Sequence, residues 1–213
     1  MIRRSKFLII ILFLFTGVYS YTYAQETGSF TDARDGKVYK TVKINDQVWM
    51  GENLAFKTEG GCSVYDNVKD YLKIHGYLYT WEAATKACPD GWHLPSMQDW
   101  WYLSNFLGGD EQSGGKLKQT GTATWKSPNA GATNSSGFTA LSSGHSGDKA
   151  MEDLGNTTYF WTNVDDDDVT TWCGALYSSK PDLSLYPVNK KNGYSIRCIK
   201  NSDKEEKTFD FWE

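Results

Sequence analysis

The cysteines of this chain fall in no Cys-x-x-Cys pair and its three histidines in no His-x-x-x-His spacing, so no zinc-ligand framework is present. EF-hand spacing is absent. The segment around His145 holds no Gly-x-Ser-x-Gly elbow of the kind that presents a nucleophilic serine. A basic excess is missing too. Without residues 1–24, 19 basic residues face 26 acidic ones, a formal charge of −7, which argues against nucleic acid and anionic membrane surfaces as partners. After residue 24 no apolar run is long enough to cross a bilayer, and no internal repeat recurs. What remains is most simply one domain.

The first 24 residues have the order of a secretory signal. Arg3, Arg4 and Lys6 precede an unbroken apolar run from Phe7 to Phe15, too short to span a membrane comfortably. Thr22-Tyr-Ala24 offers a cleavage site after Ala24, and export to the cell surface, periplasm or medium is the expectation. An exported chain with four cysteines, Cys62, Cys88, Cys173 and Cys198, suggests two disulfides, with three connectivities open.

Nine Trp, thirteen Tyr and ten Phe with 20 Gly fit a turn-rich extracellular domain. Large aromatics are mostly core, yet flat faces are also what carbohydrate and peptide sites use. Val38–Ile44 alternates and is β-branched. With the Asn45-Asp46 turn and Gln47–Met50 it reads as a hairpin. Thr80 caps a helix over Trp81 to Cys88. Ser96 and Asp99 form a capping-box spacing for a second helix, ended by Gly108-Gly109. Residues 108–147 read as a long loop region anchored by Leu117, Trp125, Phe138 and Leu141. Tyr159–Trp161 and Thr171–Tyr177 read as strands around an acidic turn, and Gly193–Ile199 as the last strand. Residues 201–213 form a charged tail in which the apolar Phe209–Trp212 has no evident role.

Several motifs bear on chemistry. Asp165, Asp166, Asp167 and Asp168 supply oxygen ligands suited to Ca²⁺, the one cofactor considered, although a solvated acidic turn is the simpler reading. His145 lies in a glycine-rich segment where it can touch a ligand. His93, between Trp92 and Leu94, reads as a hydrogen-bonded structural residue. Glu52, Asn53 and Arg197 suit buried anchoring as well as catalysis.

Six ordered motifs carry a family resemblance: Asp32-Ala-Arg-Asp-Gly-Lys-Val-Tyr39, Gln47-Val-Trp-Met-Gly-Glu-Asn-Leu54, Gly76-Tyr-Leu-Tyr-Thr-Trp81, Cys88-Pro-Asp-Gly-Trp-His-Leu-Pro95, Gly137-Phe-Thr-Ala-Leu141 and Ser195-Ile-Arg-Cys198. Together they resemble the Fibrobacter succinogenes major paralogous domain over residues 25–200. That family is found in exported proteins of Bacteroidetes and Fibrobacteres and has no settled activity. Trp81, Ala84 and Cys88 also resemble the first helix of C-type-lectin-like domains. The turn Trp92-His-Leu-Pro95 with Trp100 resembles a segment of formylglycine-generating enzymes, which share that fold. The implied architecture is α+β and C-type-lectin-like, with two short helices on small antiparallel sheets and long loops. The resemblance also implies a Cys88–Cys198 bridge closing a loop worth about 4 kcal/mol. Cys62 and Cys173 then either pair or stay free.

The function expected on these grounds is non-catalytic recognition of a glycan or surface protein, with Trp125, Tyr159, Trp161, Trp172 and His145 as ligand candidates. A structural or adhesive envelope component is the alternative. A formylglycine-generating-type enzyme comes third, because Cys198 is better used in the bridge. No catalytic residue is assigned.

Overall fold

A computed structural model describes residues 25–65, 68–148 and 150–202. The leader at 1–24 and the Phe209–Trp212 motif lie outside the described residues. In chain order the elements are β1 (Thr27–Thr31), β2 (Val38–Ile44), β3 (Gln47–Met50), β4 (Cys62–Ser63), α1 (Tyr71–His75), β5 (Leu78–Tyr79), α2 (Trp81–Ala84) and β6 (Trp92–His93). They continue with α3 (Met97–Phe106), α4 (Asp110–Leu117), β7 (His145–Ser146), β8 (Met151–Glu152), β9 (Thr157–Asp165), β10 (Thr170–Tyr177), β11 (Ser184–Asn189) and β12 (Ile199–Lys200). The class is α+β.

Local sequence explains the firmest elements. The β2–β3 hairpin pairs Ile44 with Gln47 across its turn, where Asn45 takes φ 54°, a left-handed conformation that asparagine tolerates. The capping box at α3 forms in both directions. Ser96 Oγ accepts from the Asp99 N–H at 3.1 Å, and the Asp99 carboxylate accepts from the Ser96 N–H at 2.8 Å. Trp100, Leu103 and Leu107 share the buried face of α3. Gly108 and Gly109 follow at φ 98° and 94°.

Four departures from expectation have physical causes. First, four short helices are present among the described residues rather than two. Helix α4 sits in the stretch expected to be loop, and its two glycines hide it. They are there for contact: a Cβ on Gly114 would lie 2.0 Å from the Asp182 carbonyl oxygen, and one on Gly115 2.3 Å from that of Gly131. Second, α2 makes one turn and then tightens into i→i−3 bonds at Lys86 and Ala87, so it stops short of Cys88. Third, the polar residues Thr27–Thr31, for which no element was expected, form β1 and pair with β2. Fourth, the regular last strand is only Ile199–Lys200. Residues 193–198 run buried between other strands, with bridges from Tyr194 to Tyr79 and from Ser195 to Phe160.

One antiparallel sheet has the order β1-β2-β3-β12-β6 and a second the order β11-β10-β9. Adjacent residues of β9 point to opposite faces, as a strand requires. Phe160 enters a core with Trp49, Trp100 and Phe138, while Trp161 enters another with Tyr39, Tyr79, Tyr194 and Cys198. Cys88 and Cys198 are bonded across 110 residues of sequence, with Cα atoms 5.9 Å apart. Cys62 and Cys173 are free thiols, which settles the choice left open for them and leaves one disulfide where the count suggested two. Cys173 is buried, and burial pushes its thiol far above the usual range. No helix among the described residues is long and apolar enough to cross a membrane.

Two buried cations pin the irregular chain. Lys118 Nζ donates to the carbonyls of Ala130, Tyr177 and Lys180 at 2.8–2.9 Å, and burial pulls the ammonium down to about 8. Arg197, 1 % exposed, donates from Nε to Asn53 Oδ1, from Nη1 to the carbonyls of Met50 and Phe138, and from Nη2 to that of Thr139. Asn53 passes the network on to the His75 carbonyl at 2.9 Å and the Ser143 hydroxyl at 3.0 Å.

His75 is 7 % exposed, stacks on Tyr71 and is held neutral by burial, which pushes its pKa down to about 4. The unfolded chain takes up a proton near pH 6.5 and the folded one only near 4, so acid favours unfolding between those values. Stability is expected to be fully held above pH 6.5 and to fall by up to about 3 kcal/mol on descending to pH 4. Urea midpoints at pH 7 and pH 4.5 would read this out. The difference between them should shrink in His75→Phe, and an unchanged difference would clear His75 of responsibility.

Candidate functional site

The sheet β11-β10-β9 turns one face to the Trp100 core; the other buries Trp161, Cys173 and Ala175 and leaves Tyr159, Tyr177 and Tyr186 half-buried at its margin. On that second face the period of two places Tyr159 on β9, Cys173, Ala175 and Tyr177 on β10, and Tyr186 on β11. Ala175 pairs with Tyr159, and Cys173 pairs with Tyr186. The small side chains on the central strand leave room for the flanking rings to lean over it. Tyr159 meets Tyr177 at 6.3 Å and Tyr186 at 6.5 Å, both edge-on, and the hydroxyls of Tyr177 and Tyr186 are 2.5 Å apart. Tyr194 stacks beneath Tyr159 at 4.7 Å. His145 on β7 meets Tyr159 edge-on at 5.2 Å.

The electrostatics are those of neutral donors and acceptors. Burial pushes the Tyr177 phenol up to about 12 and raises those of Tyr186 and Tyr194 further, so all three keep their protons at neutral pH. Among the described residues buried His145 Nδ1 has no hydrogen-bond partner; it lies 4.0 Å from the Asp153 carboxylate. The face therefore offers aromatic surface and phenolic hydroxyls, a composition that binds by stacking and hydrogen bonding.

Of the ligand candidates read from sequence, Tyr159 and His145 come together here. Trp125 does not, and Trp161, which shares the face and lies 4.4 Å from Tyr194, is sealed inside it. They are 1 % and 0 % exposed, and their indole N–H groups are spent on the carbonyls of Ala140 and Tyr79. Both are core residues, because each lies where elements pack on two sides. Trp172 is partly exposed but points to the opposite face from Cys173, and its indole N–H reaches Asp166 at 3.3 Å. Sequence reasoning missed Tyr177, Tyr186 and Tyr194. The alternation Cys173-x-Ala175-x-Tyr177 in an expected strand was a usable signal for the first. Pro187 hid β11, since proline cannot donate to a ladder and is confined to edges, where β11 lies.

The acidic run closes the β9–β10 hairpin. Asp165 takes the Lys190 ammonium, Asp166 the Thr170 hydroxyl at 2.7 Å, and Asp167 the N–H groups of Val169 and Thr170 at 2.7 and 2.6 Å. Asp168 is exposed. Among the described residues no three His, Cys, Asp or Glu side chains are placed to share a metal ion, so the calcium grouping read from Asp165–Asp168 does not assemble.

A second polar group holds the residue types of a hydrolase in the wrong roles. His93 lies 3.3 Å from Asp99 Oδ2, and the Ser96 hydroxyl donates to that same oxygen at 2.7 Å. Serine and histidine thus share one carboxylate, whereas nucleophile activation needs serine bonded to histidine. Asn201 occupies His93 Nδ1 at 2.7 Å. Burial would raise the Asp99 carboxyl, but the bonds from His93 and Ser96 prevail and hold it below its usual value. The group caps α3.

The family model of the Fibrobacter succinogenes major domain matches residues 42–200. No curated protein and no solved structure matches the chain. The matched span takes in the Trp100 core, the second core apart from Tyr39, the Cys88–Cys198 bond and the whole tyrosine face, and the chain belongs to the Fibrobacter succinogenes major domain family.

Proposed function

We propose that this protein is an exported, non-catalytic binding module that recognises carbohydrate through its tyrosine face. The observation that carries the reading is the meeting of the half-buried Tyr159, Tyr177 and Tyr186 rings at the margin of one sheet face, with His145 beside them. Sugar rings present C–H faces that stack on aromatics and hydroxyls that pair with phenols. Export is supported by the signal-like leader and by a disulfide, which persists in oxidising compartments. A C-type-lectin-like fold is supported by the bridge from Cys88, shortly after the Trp81 helix, to Cys198, the residue before β12.

The test is a glycan screen on the oxidised protein, followed by titration of any hit. Tyr159→Ala and Tyr186→Ala should each weaken binding about tenfold, or about 1.4 kcal/mol, in variants shown by circular dichroism to remain folded. A folded protein that binds no glycan, or variants that bind as well as the parent, would overturn it. A second reading, an adhesive component of the envelope, draws on helix α3, which exposes Trp101 and Tyr102 together with Phe106 at 57 %. Recovery of a stable protein complex from native envelope, with no glycan bound, would select it.

A further inference from the structure

A cleft of about 600 Å³ opens between the β1-β2-β3 edge and the loop around residues 134–141, away from the tyrosine face. Arg197 lies at its wall. Guanidinium carries five N–H donors, and four are committed to Asn53, Met50, Phe138 and Thr139. The fifth, on Nη2, has no acceptor among the described residues, and Arg197 makes no ion pair there. Burial draws the guanidinium below its usual range, to about 9, which leaves it charged at neutral pH.

The rest of the lining suits a hydroxylated ligand. Gly28 is paired with Thr41 in the sheet, and a Cβ there would sit 3.0 Å from Thr41 Oγ1, so the bare glycine leaves that hydroxyl uncovered. Glu52 lines the cleft and spends one carboxylate oxygen on the Lys40 N–H at 2.9 Å. Asn134 lines it too. Lys40 and Arg197 against Glu52, the one acid of the lining, give a net charge of +1.

We infer that this cleft binds a hexuronate. Its carboxylate pairs with Arg197 and Lys40, and its ring hydroxyls pair with Thr41 and Asn134. A single carboxylate balances the net charge, supplies the acceptor for the fifth N–H and makes a charge-assisted bond. The volume falls in the range of small-ligand sites.

The test is calorimetric titration of the whole oxidised protein with galacturonate and glucuronate. Galactose and glucose serve as neutral counterparts, and acetate as a bare carboxylate. A uronate should bind with a Kd on the order of 1 mM, with the neutral sugars and acetate at least about tenfold weaker. Arg197 is needed for folding, so the variants are Glu52→Gln, expected to tighten binding several-fold at low salt by removing a repelling charge, and Lys40→Ala, expected to loosen it several-fold. Tyr159→Ala should leave uronate affinity unchanged, which separates this site from the tyrosine face. Uronates that bind no better than neutral sugars or acetate would overturn the inference. So would a Glu52→Gln variant without gain, or loss of uronate binding in Tyr159→Ala.

Discussion

Arg197→Met is expected to cost the fold about 3–5 kcal/mol, because several buried acceptors lose their donor at once. Methionine fills much of the space but donates nothing. Asn53 Oδ1 and the carbonyls of Met50, Phe138 and Thr139 would lose their donor together. Each buried acceptor left unpaired costs about 1–3 kcal/mol before relaxation. The Phe138 ring, 4.6 Å from the guanidinium carbon, would also lose a cation–π contact. Arg197→Lys should fare little better, because a single ammonium cannot reach four acceptors spread around a planar fork. Urea denaturation of the oxidised protein measures the loss. A cost below about 1 kcal/mol would mean that the carbonyls find water or other donors, and that the network is weaker than its geometry implies.

Removal of the Cys88–Cys198 bond is expected to cost about 4–5 kcal/mol, from the entropy the unfolded chain regains when a loop of this length is released. The comparison is between the oxidised protein and Cys88→Ala/Cys198→Ala in the same denaturant series. Mass mapping of the parent should find Cys62 and Cys173 unbridged. A loss under about 1 kcal/mol, or a bridge to either of those thiols, would contradict the pairing. A domain of ordinary stability has about 5–15 kcal/mol to lose, so either change alone takes a large share. Arg197 and Cys198 are neighbours in sequence, and their costs should not add simply.

What was legible in the sequence was local. The β2–β3 hairpin, the Ser96–Asp99 box and the strands around Asp165–Asp168 are set by residues a few positions apart, and they appear where expected. The Cys88–Cys198 bond was legible only through family resemblance, since nothing between those positions encodes it. Helix α4 was hidden because Gly114 and Gly115 answer to Asp182 and Gly131, far away in the chain. The tyrosine face was half hidden for a similar reason. Its rings converge across Ala175 from three strands, one of them masked by Pro187. Trp125 and Trp161 were misjudged because composition counts aromatics without giving their direction. On β9 both directions lead inward, so neighbouring side chains there can both be core.

That property of β9 has a consequence for how the molecule comes apart. With Phe160 in one core and Trp161 in the other, the strand is a party wall rather than an outer wall. Neither half can melt while its neighbour stays intact, because the shared strand would have to abandon one set of contacts and keep the other. Unfolding is therefore expected to be all-or-none across the two cores, with calorimetric and van't Hoff enthalpies equal.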